Sequence, residues 1–327
     1  MFTSRLLRGV RSAQLHGLAR SQAGQASSSK CLDISGIYPP ITTPYDSTGS
    51  IAYPELQGNV NRWSGLPFRG IVVHGSTGEC VLLSQKERLM VVETVRSILP
   101  NDKLLVVGVG QESTRATVEL AVESAKAGAQ AVLVVTPCFY KGRMSSAALS
   151  AHFKEVADSC PVPVILYSVP GNTGVDLPAE VAIGLASHPN VVGMKDSGGD
   201  VTKLGYIVHK TKQHGFQVLA GSAGFLLPAL EVGAVGGVCA LANTLGTEVC
   251  ELYEKFLKGD RAEARVLQHR LIAPNTAVTK QFGIAGVKAS MDWFGYYGGL
   301  VRSPLLQLGS DEQRKLRDIF VAEKFLD

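Results

Sequence analysis

The stretch VVGMKDS, residues 191–197, sets an apolar run directly before a lysine, an acid and a hydroxyl. A short run that is apolar throughout fits a strand covered on both faces, as in a parallel sheet with helical crossovers. Seven other stretches read the same way: GIYPPITTP (36–44), GIVVHGS (70–76), LLVVGVG (104–110), AVLVVTP (131–137), VPVILYSVP (162–170), FQVLAGS (216–222) and AVGGVCALA (234–242). Between them lie segments such as SQKERLMVVETVRSILP and STRATVELAVESAKAGA, with apolar residues at helical spacing. Ser84, with Glu87 three residues later, predicts a capping box, and Ser113 predicts a second N-cap. Eight strand–helix units predict an α/β fold, the closed (β/α)8 TIM barrel, which takes about 250 residues. An open doubly wound sheet would be signalled by GxGxxG after an early strand, and GVGQES (108–113) lacks the third glycine. The barrel strands and helices are assigned to 33–243. The last barrel helix and a C-terminal helical appendage are assigned to 244–327.

Charge narrows the function. The chain of 327 residues carries a formal charge of +4. Arg5, Arg8, Arg11, Arg20 and Lys30 lie in the first 30 residues, which contain no acid. Without them the balance is −1, so a nucleic-acid role lacks its electrostatic footprint. The Arg- and Ser-rich leader predicts a mitochondrial transit peptide over 1–30 and a matrix protein. No apolar run approaches the roughly 20 residues needed to span a bilayer, which predicts a soluble protein with no membrane partner. The six cysteines form no CxxC and the histidines no HxH or HExxH, so no metal site is expected.

In a barrel the site lies at the C-terminal ends of the strands. Alternation puts Gly193, Lys195 and Ser197 on one face and Met194 and Asp196 on the other. It likewise groups Ile165, Tyr167 and Val169. If Lys195 and Tyr167 both face inward, they meet on adjacent strands. A lysine buried in a barrel has its ammonium form disfavoured, and its neutral amine can form a Schiff base with a ketone. Tyr167 would then carry protons. The competing reading is a lysine snorkelling at the rim, paired with Asp196. GSTGE (75–79) offers N–H groups and the hydroxyls of Ser76 and Thr77 as an anion nest for a 2-oxo acid, or serves as an ordinary loop. Gly221 and Ser222 could bind substrate oxygens or merely make a turn. His74, on the predicted inward face, is read as a core histidine with its hydrogen bonds satisfied. Glu79 is expected to begin a helix.

GSTGE, TPCFY, YSVPGNTG and GMKDSGGD, in that order, resemble the lysine-dependent pyruvate aldolases, the family that includes dihydrodipicolinate synthase and N-acetylneuraminate lyase. IYPPITTP, MKDSGGDVTKLG, FQVLAGSAGF and MDWFGYYGG resemble most closely the branch that cleaves 4-hydroxy-2-oxoglutarate in hydroxyproline and glyoxylate metabolism. The resemblance implies Lys195 as the Schiff-base lysine and Tyr167 as the proton relay, with Ser76 and Thr77 on the carboxylate. It implies no cofactor. It also implies that Tyr140 is lent to a neighbouring subunit in a homotetramer, and that Ser197 faces the far end of the substrate. Where the synthase carries an arginine for its second substrate, this sequence has Asn172. A sialic acid lyase, a synthase, and a barrel that binds a 2-oxo acid without turnover are the alternatives.

Overall fold

The computed structural model describes residues 32–327, and the leader expectation for 1–30 lies outside the described residues. Eight parallel strands form one sheet: β1 (Gly36–Tyr38), β2 (Gly70–Val73), β3 (Leu104–Gly108), β4 (Ala131–Val135), β5 (Val164–Ser168), β6 (Val191–Asp196), β7 (Gln217–Ala220) and β8 (Gly236–Val238). Neighbours in sequence are neighbours in space, and β1 pairs with β8. The ring closes between β1 and β2, where Arg69 N–H donates to the Ile37 carbonyl (2.9 Å) and Val72 N–H to the Pro39 carbonyl (3.0 Å). Pro39 and Pro40 have no N–H to give, so this seam is looser than a full ladder. The result is the expected TIM barrel.

One buried cluster takes a residue from every strand: Tyr38, Val72, Val106, Leu133, Ile165, Val192, Leu219 and Val238. That is the barrel interior. Alternate residues such as Val107, Val134, Leu166, Met194 and Val218 belong to a second cluster, with helix residues Val92, Leu120, Phe153 and Leu204. The helices start where the sequence punctuates them. Ser84 and Glu87 form the reciprocal capping box, and Ser113 accepts from Ala116 N–H.

After β8, helix Gly246–Lys258 completes the ring. Helices Arg261–Thr276, Gly283–Trp293 and Ser310–Ala322 extend beyond it. The segment after Trp293 returns to the barrel. Arg302 donates to Glu87, Leu82 O and Gly49 O, and stacks over the Tyr45 ring.

The Arg302 hydrogen bond is the main cause that holds the Glu87 carboxyl at about 2, against an ordinary 4.5. A depressed carboxyl stabilises fully above the unfolded value and loses that contribution as pH falls through the folded one. Stability to urea is therefore expected to fall more steeply between pH 4.5 and 2 in the natural protein than in Glu87→Gln. Parallel pH profiles would contradict the assignment.

Candidate active site

β5 and β6 do not run in simple register. Val164 faces Val191, but Ile165 faces Gly193, so β6 carries one extra residue at Val192. Such a bulge shifts every later side chain by one place. Beyond it Tyr167 and Lys195 are direct cross-strand partners. The Lys195 Nζ sits 4.1 Å from the centre of the Tyr167 ring. Both residues are buried, at 3% and 5% exposure. They form the floor of a strand-end cavity of about 760 Å³. Ser76, Thr77, Asn172, Ser197, Gly221 and Ser222 all line it, so all six residues expected to bind substrate converge there.

The rim pairing between Lys195 and Asp196 is not formed. Asp196 points to the other face of β6, fully buried, and Lys203 reaches it at 2.8 Å. Lys203 also holds Asp176 at 2.7 Å, and Asp176 accepts from Ser168 Oγ. Gly198 N–H donates to Asp196 Oδ1 at 2.8 Å. A buried carboxylate needs such partners, and here they fix the turn that follows Lys195. Lys195 and Lys288 are the two buried lysines among the described residues. Lys288 pairs with Glu79 at 2.6 Å, whereas Lys195 takes part in no ion pair there.

At Gly221 close packing forbids a side chain, since a Cβ would stand 2.1 Å from Ser197 Oγ. Ser222 is already engaged. Its oxygen accepts from Gly224 N–H and from Asn275 Nδ2 at 2.9 Å. The Ser76–Gly78 turn is 3-10 helical, so the N–H groups at its start have no partner within the turn. Two non-glycine residues with left-handed backbone flank it, His74 (φ 56) and Glu79 (φ 55).

His74 and Glu79 stand differently from expectation. His74 does not line the cavity, and both its ring nitrogens are buried without hydrogen-bond partners. Burial, then the nearby Arg88 charge, holds its pKa well below 6.5. It is therefore a buried histidine whose ring nitrogens are unsatisfied, away from the cavity lining. Glu79 does begin a helical turn, at the N-cap position of the 3-10 segment Cys80–Leu82, but its side chain makes no capping bond, and the long helix Gln85–Ile98 is capped by Ser84. The Glu79 carboxylate turns inward to Lys288. Tyr140, expected to serve a neighbouring subunit, lies outside its own chain's cavity, 71% exposed beside Phe139 on the loop after β4.

Sequence reading missed the far wall of the cavity. The π-helical turn Ala277–Gln281 follows Pro274 and brings Val278, Thr279 and Lys280 to the site. A proline inside a helical pattern was the available signal. The described lining holds two lysines, Lys195 and Lys280, and no Asp or Glu. Such a wall suits an anionic ligand.

A closed parallel barrel with an unpaired buried lysine against a tyrosine defines an enzyme equipped for amine chemistry on a carbonyl group. The chain belongs to the dihydrodipicolinate synthetase family, whose model matches residues 33–323, and is an enzyme of this lyase and synthase family. A 4-hydroxy-tetrahydrodipicolinate synthase of Methanothrix thermoacetophila is 34% identical over 284 residues, 87% of this chain and 95% of that one. An uncharacterized DapA-like lyase of Halobacterium salinarum is 35% identical over 285 residues, 87% and 92% of the two chains. Among solved structures, dihydrodipicolinate synthase DapA-2 of Bacillus anthracis aligns with a TM-score of 0.85 at 30% identity, covering 89% of this chain and 99% of its own. The chloride-inhibited enzyme of Acinetobacter baumannii, complexed with pyruvate, aligns with 0.85 at 27%, covering 90% and 100%.

Removing one partner of the buried Asp196–Lys203 pair should leave an uncompensated charge. Lys203→Met is expected to cost about 3–5 kcal/mol of unfolding free energy, and adding Asp196→Asn should recover much of it. Additive losses in denaturant titrations would contradict the pairing.

Proposed function

We propose that the protein is a Schiff-base (class I) aldolase that cleaves 4-hydroxy-2-oxoglutarate to pyruvate and glyoxylate. The observation that carries this reading is the unpaired Lys195 amine, 4.1 Å from the Tyr167 ring, at the floor of the cavity. The neutral amine adds to C2 of the substrate, and loss of water leaves an iminium. Ser76 and Thr77 hold the adjacent carboxylate. Tyr167 gives its phenolic proton to the hydroxyl that leaves C2 as water, and the phenolate so formed accepts the proton of the C4 hydroxyl, directly or through substrate oxygens. The C3–C4 electron pair moves to the iminium, which becomes an enamine, and glyoxylate departs. Protonation at C3 and hydrolysis release pyruvate and restore the amine. The reaction uses no cofactor.

Several facts support this choice of substrate. The Acinetobacter baumannii relative was solved with pyruvate. A 2-oxo dicarboxylate presents an anion at each end, and Ser197 and Lys280 line the cavity along with the Ser76–Thr77 turn. At Asn172 the arginine of the resembling synthase is missing. The second reading, 4-hydroxy-tetrahydrodipicolinate synthase, is favoured by the names of the relatives at 34% and 33% identity. We further place the protein in the mitochondrial matrix, on its basic leader. We read it as a homotetramer in which exposed Tyr140 completes a neighbour's site.

Pyruvate release from 4-hydroxy-2-oxoglutarate in EDTA is expected from the protein lacking residues 1–30. It should be abolished in Lys195→Ala and lowered about 10²–10⁴-fold in kcat in Tyr167→Phe. Pyruvate consumption only with the synthase's second substrate would transfer the protein to the second reading. Release from N-acetylneuraminate alone would make it a sialic acid lyase. Retained turnover in Lys195→Ala would overturn the mechanism.

A further inference from the structure

A second charged cluster lies behind the loop that faces the substrate carboxylate. Glu79 closes the Ser76–Gly78 turn, its N–H donating to the Ser76 carbonyl at 3.1 Å. Its side chain is fully buried, with Oε1 2.6 Å from Lys288 Nζ, itself fully buried. Oε2 accepts from Arg302 N–H at 2.9 Å. Lys288 also donates to the carbonyls of Thr43 (2.7 Å) and Leu300 (2.6 Å). Thr43 Oγ1 in turn donates to the Gly78 carbonyl at 2.8 Å. The end of the turn is thus tied to the exit of β1 and to two points of the C-terminal segment.

A left-handed backbone at a residue with a Cβ persists only where its surroundings hold it. If Glu79 relaxed to a right-handed conformation, its hydrogen bond to Ser76 would open. Ser76 and Thr77 would then shift in the cavity wall they share with Lys195. Burial lowers Lys288 to about 8, and Glu79 opposes the shift, so the lysine still carries its charge at neutral pH.

We propose that Glu79 and Lys288 are positioning residues for the substrate carboxylate, their buried ion pair holding the Ser76–Thr77 turn where a 2-oxo acid can place its C2 over the Lys195 amine. The inference rests on the reading given under Proposed function. It assigns the helix Gly283–Trp293 and the segment that follows it a part in substrate binding, through Lys288 and Arg302, although neither residue lines the cavity.

The test uses pyruvate as probe, with borohydride reduction and intact mass read over a pyruvate titration, beside thermal melting. Wild-type protein, Glu79→Gln and Glu79→Gln/Lys288→Met are compared. In Glu79→Gln the half-saturating pyruvate concentration is expected to rise about tenfold or more, as for one lost charge-assisted hydrogen bond, with the maximal adduct unchanged. The double variant leaves no unpaired buried charge, so its melting temperature should recover while its half-saturation stays raised. Half-saturation that returns with the melting temperature, or never shifts, would overturn the positioning role and leave the proposed function standing. No adduct in the wild type would overturn the proposed function itself. Should Glu79→Gln fail to fold, Thr43→Val removes only the tie to Gly78, and a raised half-saturation is again the expected result.

Discussion

The site depends on a single extra residue in β6. Without Val192 in the bulge, Tyr167 would stand beside Met194, and Lys195 would be one place out of register. In a parallel sheet, residues in register share a face, so the bulge decides that an amine and a phenol meet inside the barrel. Gly193 makes this possible, because a Cβ there would stand 2.1 Å from the Gln217 carbonyl. Bulges gather beside active sites for this kind of re-aiming.

Around that pair the buried charges are sorted. Asp196 is neutralised by Lys203 on the helix side of β6, and Glu79 by Lys288 behind the carboxylate loop. Each pair holds one edge of the cavity, the turn after Lys195 and the turn before Glu79. Buried pairs contribute little net stability, so their value here lies in geometry. Lys195 is left without an anion of its own, and the cavity it faces has none to offer among the described residues. A carbonyl substrate with carboxylates is the complement of that arrangement.

Much of this was legible in the sequence. Apolar runs ending in small polar turns marked all eight strands, and alternation grouped Lys195 with Ser197 and Tyr167 with Val169, leaving the shared inward face of the two strands as a supposition that the bulge fulfils. The glycine-rich strand ends led to Ser76, Thr77, Ser197, Gly221 and Ser222 because barrel sites are built there. What stayed hidden was non-local. Glu79 looks like a helix start, and only the return of Lys288 from 209 residues downstream shows it turned inward. The left-handed backbone at His74 is likewise a property no periodicity reports. Asn275 reaches the cavity from the end of the helix Arg261–Thr276, and Lys280 from the π-helical turn after it, whose only trace was Pro274. Asn172 and Ser197 line the cavity, and what they would contact was expected only by resemblance, since short polar groups fit many ligands.

The central claim is that Lys195 forms the covalent link to substrate. Its most direct measurement is peptide mapping by mass spectrometry after borohydride reduction with pyruvate. The account predicts one adduct, on the peptide carrying Lys195, and none in Lys195→Ala. An adduct on Lys280 or Lys288, or none at all, would contradict it.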